Sequence, residues 1–130
     1  MTNRVALVTV VMLILAGCGN SKLTSVTITP AAADAQNFPN GQVPFTAMGT
    51  FSDSSKPVPL TTVTWCVGSS NGLCNGNIAS PATIDSKGLA RCTGVLNGTA
   101  NILAGTDISM GMPDTGQQLR IFGTAKLTCP

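Results

Sequence analysis

The chain has 130 residues, a formal net charge of +2 and no histidine, and its five acidic residues are all aspartate. That length holds one domain at most, and a charge so small and dispersed leaves no footprint for nucleic acid. Without imidazole there is no Ser-His-Asp triad, no Cys-His dyad and no histidine metal ligand. An apolar content of 43% with few charges also separates the chain from disordered sequences.

The N-terminus reads as an export signal. Arg4 supplies a positive start, and residues 5–15 are an unbroken run of apolar residues and Thr. The run is too short to cross a bilayer, which needs roughly 20 residues. Small residues before a cleavage point mark a secretory signal. Here they lead into Leu15-Ala16-Gly17-Cys18, which resembles the lipobox of bacterial lipoprotein precursors. The resemblance implies a signal peptide over 1–17 and a diacylglycerol on the Cys18 thiol. It also implies an acylated new amine and a short tether over 18–23. The mature chain would have 113 residues (130 − 17) and reach a membrane through the lipid on Cys18. Two or three acyl chains anchor stably, at ~0.8 kcal/mol per buried methylene. Gly19, where Asp would signal retention, implies outer-membrane sorting in a cell with two membranes. The alternatives are an ordinary signal peptide with a chance cysteine, and an uncleaved anchor.

The remainder, 24–130, alternates apolar and polar residues in short runs broken by Gly, Pro, Asn and Asp. Val26 and Ile28 share a face of a first strand that Pro30 stops. Residues 31–42 read as a connection. In 43–51, Val43, Phe45, Ala47, Gly49 and Phe51 share a face, and 52–57 form a turn. Residues 58–67 carry the central strand, with Val63, Trp65 and Val67 on one side and Cys66 on the other. Trp65 is the only Trp in a chain with no Tyr, and it reads as the plug of the core. Residues 68–77 form a loop. Residues 82–84 and 89–93 pair across an Asp85-Ser86-Lys87-Gly88 turn. Residues 99–104 place Ala100, Ile102 and Ala104 inward. Residues 105–117 read as a second long loop, with Met110, Met112, Asp107 and Asp114. Residues 118–129 close the domain. The predicted core includes Trp65, Phe45, Ala47 and Ile102. About seven short strands at regular spacing define an all-β, antiparallel two-sheet sandwich.

Several motifs occur in order: Val26-Thr27-Ile28-Thr29-Pro30, Phe45-Thr46-Ala47-Met48-Gly49-Thr50-Phe51-Ser52-Asp53, Val63-Thr64-Trp65, Gly88-Leu89-Ala90 and Asn97-Gly98-Thr99-Ala100. Together they resemble the group 2 bacterial immunoglobulin-like domain over residues 24–105. The resemblance implies an immunoglobulin-like sandwich serving as a spacer or binding module in surface proteins, adhesins or carbohydrate-active enzymes. The cysteines, the longer loop after Trp65 and the region after residue 105 depart from the family pattern.

With Cys18 given to lipid, Cys66, Cys74, Cys92 and Cys129 remain, an even number in an exported chain. Three pairings are open. Side-chain parity puts Cys92 and Cys129 on inward faces and Cys66 away from Trp65, near the loop that holds Cys74. The predicted bridges are therefore Cys66–Cys74 and Cys92–Cys129. No Cys-x-x-Cys knuckle is present, so zinc is not expected. Met110 and Met112 could suit Cu(I) but read more simply as apolar loop residues. Asp53 and Asp85 sit in turns, where Asp bonds its own backbone. Asp107 and Asp114 match no calcium-loop pattern. Asn97-Gly98-Thr99 is read as a turn rather than a glycosylation site.

The expectation is a non-enzymatic cell-envelope lipoprotein with no catalytic residue, metal or cofactor and no nucleic-acid partner. It would present a binding or scaffolding domain to another envelope protein or a glycan, through loops 68–77 and 105–117. The alternatives are a structural subunit of an envelope assembly that pairs through an exposed edge strand, and a secreted binding module.

Overall fold

A computed structural model describes residues 20–75, 79–109 and 116–130, the side chains of 107–109 excepted. Among them the chain forms ten strands: β1 (Leu23–Thr29), β2 (Ala32–Asp34), β3 (Gln42–Pro44), β4 (Thr46–Phe51), β5 (Ser54–Pro59), β6 (Thr64–Gly68), β7 (Ala82–Ile84), β8 (Leu89–Cys92), β9 (Gly98–Ser109) and β10 (Gln118–Cys129). Two 3-10 turns, Ala35–Asn37 and Pro39–Gly41, lie between β2 and β3. Asp34 caps the first by accepting a bond from the Gln36 N–H at 3.0 Å.

β3 and β4 are one run interrupted at Phe45, whose N–H donates to the Gly88 carbonyl at 2.8 Å. β1 pairs with β4, and β8 pairs with β3 on one side and β7 on the other. This gives one layer in the order β1, β3–β4, β8, β7. The second layer runs β2, β10, β9, β6. Reading β1, β3–β4, β6, β7, β8, β9 and β10 as strands A to G yields the immunoglobulin arrangement, ABED facing GFC.

The strand count exceeds seven for physical reasons. Beyond Pro30, which cannot donate to a ladder, the chain crosses to the second layer. There β2 lies parallel to β10, Ala32 opposite Lys126 and Asp34 opposite Thr128. Residues 31–42 are thus more than a connection, and one pairing is parallel. β5 occupies part of the stretch expected as a turn, with Ser54 opposite Phe51 and Val58 opposite Gly49. All six of its residues are exposed. Lys56, Pro57 and Pro59 are the residue types that keep such an edge from recruiting another strand.

β10 shows the alternation of a half-buried strand: Leu119, Gly123, Ala125, Leu127 and Cys129 are buried, while Arg120, Thr124, Lys126 and Thr128 are exposed. It pairs with β9 along its whole length, from Gln118 opposite Ser109 to Cys129 opposite Gly98. Val26, Ile28, Val43, Phe45, Ala47, Ala90, Ile102, Ala104, Ala125 and Leu127 form the core between the layers.

Trp65 is not the centre of that core. It lies on β6, an edge strand, and is half-buried beside the core with Val63 and Val67. The largest fully buried side chains are Ile102, Leu103, Leu119, Leu127 and Val43. β9 and β10 have neighbours on both sides, so they supply the middle. Their inward positions, Ala100, Ile102, Ala104, Ala125 and Leu127, are aliphatic, and Trp65 packs against the rim of that cluster. Trp65 instead lies over Gly88: a Cβ there would be 2.9 Å from Trp65 Cζ2 and 2.5 Å from the Phe45 carbonyl oxygen. Gly88 also has φ +82, which an L side chain resists.

Candidate functional site

The two segments expected to carry binding meet at one place. After β6 the chain makes a tight excursion over residues 68–75. Gly68 bridges Cys74, the Ser69 N–H donates to the Leu73 carbonyl (2.9 Å), and the Asn75 N–H to the Val67 carbonyl (2.8 Å). The Cys66–Cys74 disulfide, with Cα atoms 5.7 Å apart, ties the excursion to β6. Its far side is bound to the start of β10. Leu73 bridges Gln118, the Cys74 N–H donates to the Gln117 carbonyl (2.8 Å), and the Leu119 N–H to the Gly72 carbonyl (2.9 Å).

Backbone hydrogen bonds therefore run in a ring: β6 to β9, β9 to β10, β10 to residues 72–74, and back to β6. Gly68 lies opposite Asn101, and Gln118 lies opposite Ser109. Eight residues of β9 (109 − 101) separate those partners, about 26 Å of straight strand. Leu73 and Cys74 are adjacent residues and still reach both ends. The β9–β10 ribbon must curl back over the outer face of its own sheet. Gly105 lets the ribbon close up, since a Cβ there would be 2.6 Å from the Ile121 carbonyl oxygen. Inside the curl is a second small core of Cys74, Leu103 and Leu119, with Cys66 and Phe122 packed against it.

The segments are therefore not two free loops. Residues 105–109 belong to β9 rather than to a loop, and residues 68–75 are pinned at both sides. What remains of each, 76–78 and 110–115, lies outside the described residues, Met110, Met112 and Asp114 included. The ends from which these pieces emerge are joined by the Cys74–Gln117 bond.

Among the described residues, the side chains that hydrogen-bond at this junction, Ser69, Asn71 and Gln118, are polar and uncharged. The Ser69 hydroxyl donates to Asn71 Oδ1, which also accepts from the Leu73 N–H at 3.3 Å. Gln118 Nε2 donates to the Asn71 carbonyl at 2.9 Å and to the Leu119 carbonyl at 3.0 Å. Amides and hydroxyls of this kind bind neutral polar groups. They cannot exchange protons near neutral pH as a general acid or base must.

Phe45, Ala47 and Ile102 lie in the main core at 3%, 2% and 0% exposure; Trp65 is at its edge. The second disulfide, Cys92–Cys129, joins the two layers with a Cα–Cα distance of 5.6 Å. Cys18 lies outside the described residues. Of the acids, Asp34 caps the 3-10 turn, Asp53 accepts from the Ser21 hydroxyl at 2.7 Å, and Asp85 accepts from the Lys87 N–H (2.8 Å) and the Leu89 N–H (3.0 Å). The Leu89 and Lys87 bonds hold the Asp85 carboxyl below its ordinary value. Among the described residues no helix is long and apolar enough to cross a membrane. The ring itself escaped the sequence reading. Its signal was Ile102-Leu103-Ala104, apolar on both faces, which marks a strand covered on both sides.

No protein-family model matches the chain, and no curated protein matches it in sequence.

Proposed function

We propose that the protein is a lipid-anchored component of a bacterial cell envelope, held through Cys18, which displays one immunoglobulin-like domain as a non-enzymatic binding or scaffolding module. The observation that carries this reading is Leu15-Ala16-Gly17-Cys18 closing a short apolar run, with the first strand beginning at Leu23. A lipidated cysteine so close to a folded domain is how an envelope protein is held at a surface without a spanning helix. The motif set that resembles the group 2 bacterial immunoglobulin-like domain supports the module reading, as does the strand order of the two layers.

The neutral amides and hydroxyls at the junction of residues 68–75 with 116–118 favour a glycan or the polar surface of another envelope protein as the ligand. The absence of histidine, and the use of Asp34, Asp53 and Asp85 in local hydrogen bonds, favour binding over catalysis.

The test is metabolic labelling of cells making the full chain with an alkyne fatty acid. The expected result is label on the parent, no label on Cys18→Ser, and release of that variant from the membrane fraction. A parent chain without label, or label that persists in Cys18→Ser, overturns the reading.

A further inference from the structure

The residues that lead into β1 are bound to the domain. The Ser21 hydroxyl donates to Asp53 Oδ1 at 2.7 Å, and the Lys22 N–H donates to Ser52 Oγ at 3.1 Å. The Ser52 N–H returns a bond to the Lys22 carbonyl at 2.8 Å. One step later the Thr24 hydroxyl donates to the Thr50 carbonyl at 2.9 Å. The entry to the domain is thus stitched to the turn between β4 and β5.

This leaves a very short leash. Only Gly19 and Asn20 stand between Cys18 and Ser21. Three fully extended steps reach at most about 11 Å. Acyl chains on Cys18 would fix that residue at the edge of the hydrocarbon, and the polar layer outside it is about 5–8 Å deep. Ser21 and the turn bound to it can then stand no more than a few ångströms above the headgroups.

We infer that the β4–β5 hairpin is the membrane-facing surface of the domain, apposed to the phospholipid headgroups of the leaflet that holds the Cys18 lipid. This rests on the lipid-anchor reading above and adds an orientation to it. The chemistry of the hairpin fits a headgroup layer. Residues 52–59 are all exposed and carry hydroxyls at Ser52, Ser54 and Ser55 and an ammonium at Lys56. Lys22 adds a second exposed cation, so that with Asp53, which accepts from Ser21, the two lysines still leave an excess of positive charge. Ammonium and hydroxyl groups donate to phosphate oxygens, and cations are drawn to an anionic leaflet.

The opposite end lies farthest from the tether. β1 runs six residues (29 − 23) away from the tether, about 20 Å, before β2 aligns with residues 126–128. Cys129 lies opposite Gly98 there. The turn over 93–97 therefore sits at the end of the domain away from the tether, and is the reference site for the test.

The test uses the full chain, made with its signal, purified and reconstituted in vesicles of phosphatidylethanolamine and phosphatidylglycerol that contain a headgroup-nitroxide lipid. A bimane is attached at Ser55→Cys or at Val95→Cys, and intact mass confirms the lipid and both disulfides in each sample. Lys56→Cys replaces the first variant if it fails to fold. The expected result is several-fold stronger quenching at the hairpin than at residue 95. A second arm inserts a Gly-Ser linker between Asn20 and Ser21 with Asp53→Ala, and the difference is expected to vanish. Lipidated chains quenched equally at both sites, or more at residue 95, overturn the orientation and leave the anchor standing. Chains whose mass shows no lipid overturn both.

Discussion

Removing the two disulfides one at a time separates two ways in which a bridge can hold this domain. In the chain-entropy account a bridge acts on the unfolded state, and its effect grows with the loop that it closes. Cys66–Cys74 spans 8 residues and Cys92–Cys129 spans 37. Closing those loops stabilises by ~2.5 and ~3.8 kcal/mol at 25 °C. Cys92→Ala with Cys129→Ala should therefore destabilise by about 1.4 kcal/mol more than Cys66→Ala with Cys74→Ala. A domain of this size is stable by roughly 5–15 kcal/mol, so either loss is large. Urea unfolding of the Cys18→Ser chain without its signal, followed by fluorescence of Trp65, reads both directly. The midpoint should fall in each variant, and furthest in Cys92→Ala with Cys129→Ala. Were the short bridge to matter as much as the long one, or more, loop entropy would not govern. The ring that Cys66–Cys74 closes would then contribute through native packing.

Gly88→Ala puts a methyl against Trp65 and the Phe45 carbonyl at φ +82; left-handed strain and overpacking together destabilise by about 2–5 kcal/mol. Calorimetry checks the fall in Tm, and Trp65 emission should shift with it. Leu103→Ala empties the second core, where Leu103 is 0% exposed, and should cost about 2.7–5 kcal/mol. Hydrogen exchange should rise more at the Leu119 and Cys74 amides than at Ile28, and uniform acceleration would contradict a separate second core. Asp85 has a folded pKa below its ordinary 3.8. Its contribution is thus complete above that value and is lost as the pH falls through the lower folded value. Asp85→Asn should lose stability at neutral pH and converge on the parent in acid, as followed by Tm on acidification. A gap independent of pH would show that the charge of Asp85 is irrelevant.

β7 and β10 coincide with the elements expected from sequence, because period-two alternation is bounded by Pro81 and Asp85 over 82–84 and by Gly116 and Pro130 over 118–129. Side-chain parity likewise pairs the cysteines as the structure has them. What failed was everything set by a third element. Trp65 stood out by size, but being central depends on how many strands flank β6, and alternation carries no such information. β2 is short and partly exposed, and β5 is wholly exposed, so their pairing leaves no apolar stripe. The candidate site was half legible. Composition marked 68–77 and 105–117 as the long connections, yet the bonds that join them are backbone bonds between residues more than forty apart, Cys74 to Gln117 among them. Backbone groups are identical in every sequence, so such pairings leave little trace in residue type.

The stitching of β1 also has a mechanical side. β1 is antiparallel to β4 through six paired residues, from Leu23 opposite Phe51 to Thr29 opposite Thr46. A pull at residue 22, resisted at the far end of the sandwich, acts along the strand axis, across the hydrogen bonds. Those bonds are then sheared together instead of being peeled one after another. At the other end the Cys92–Cys129 bridge passes tension from the 93–97 turn covalently into both layers. A domain pulled between residue 22 and that turn yields all at once or not at all.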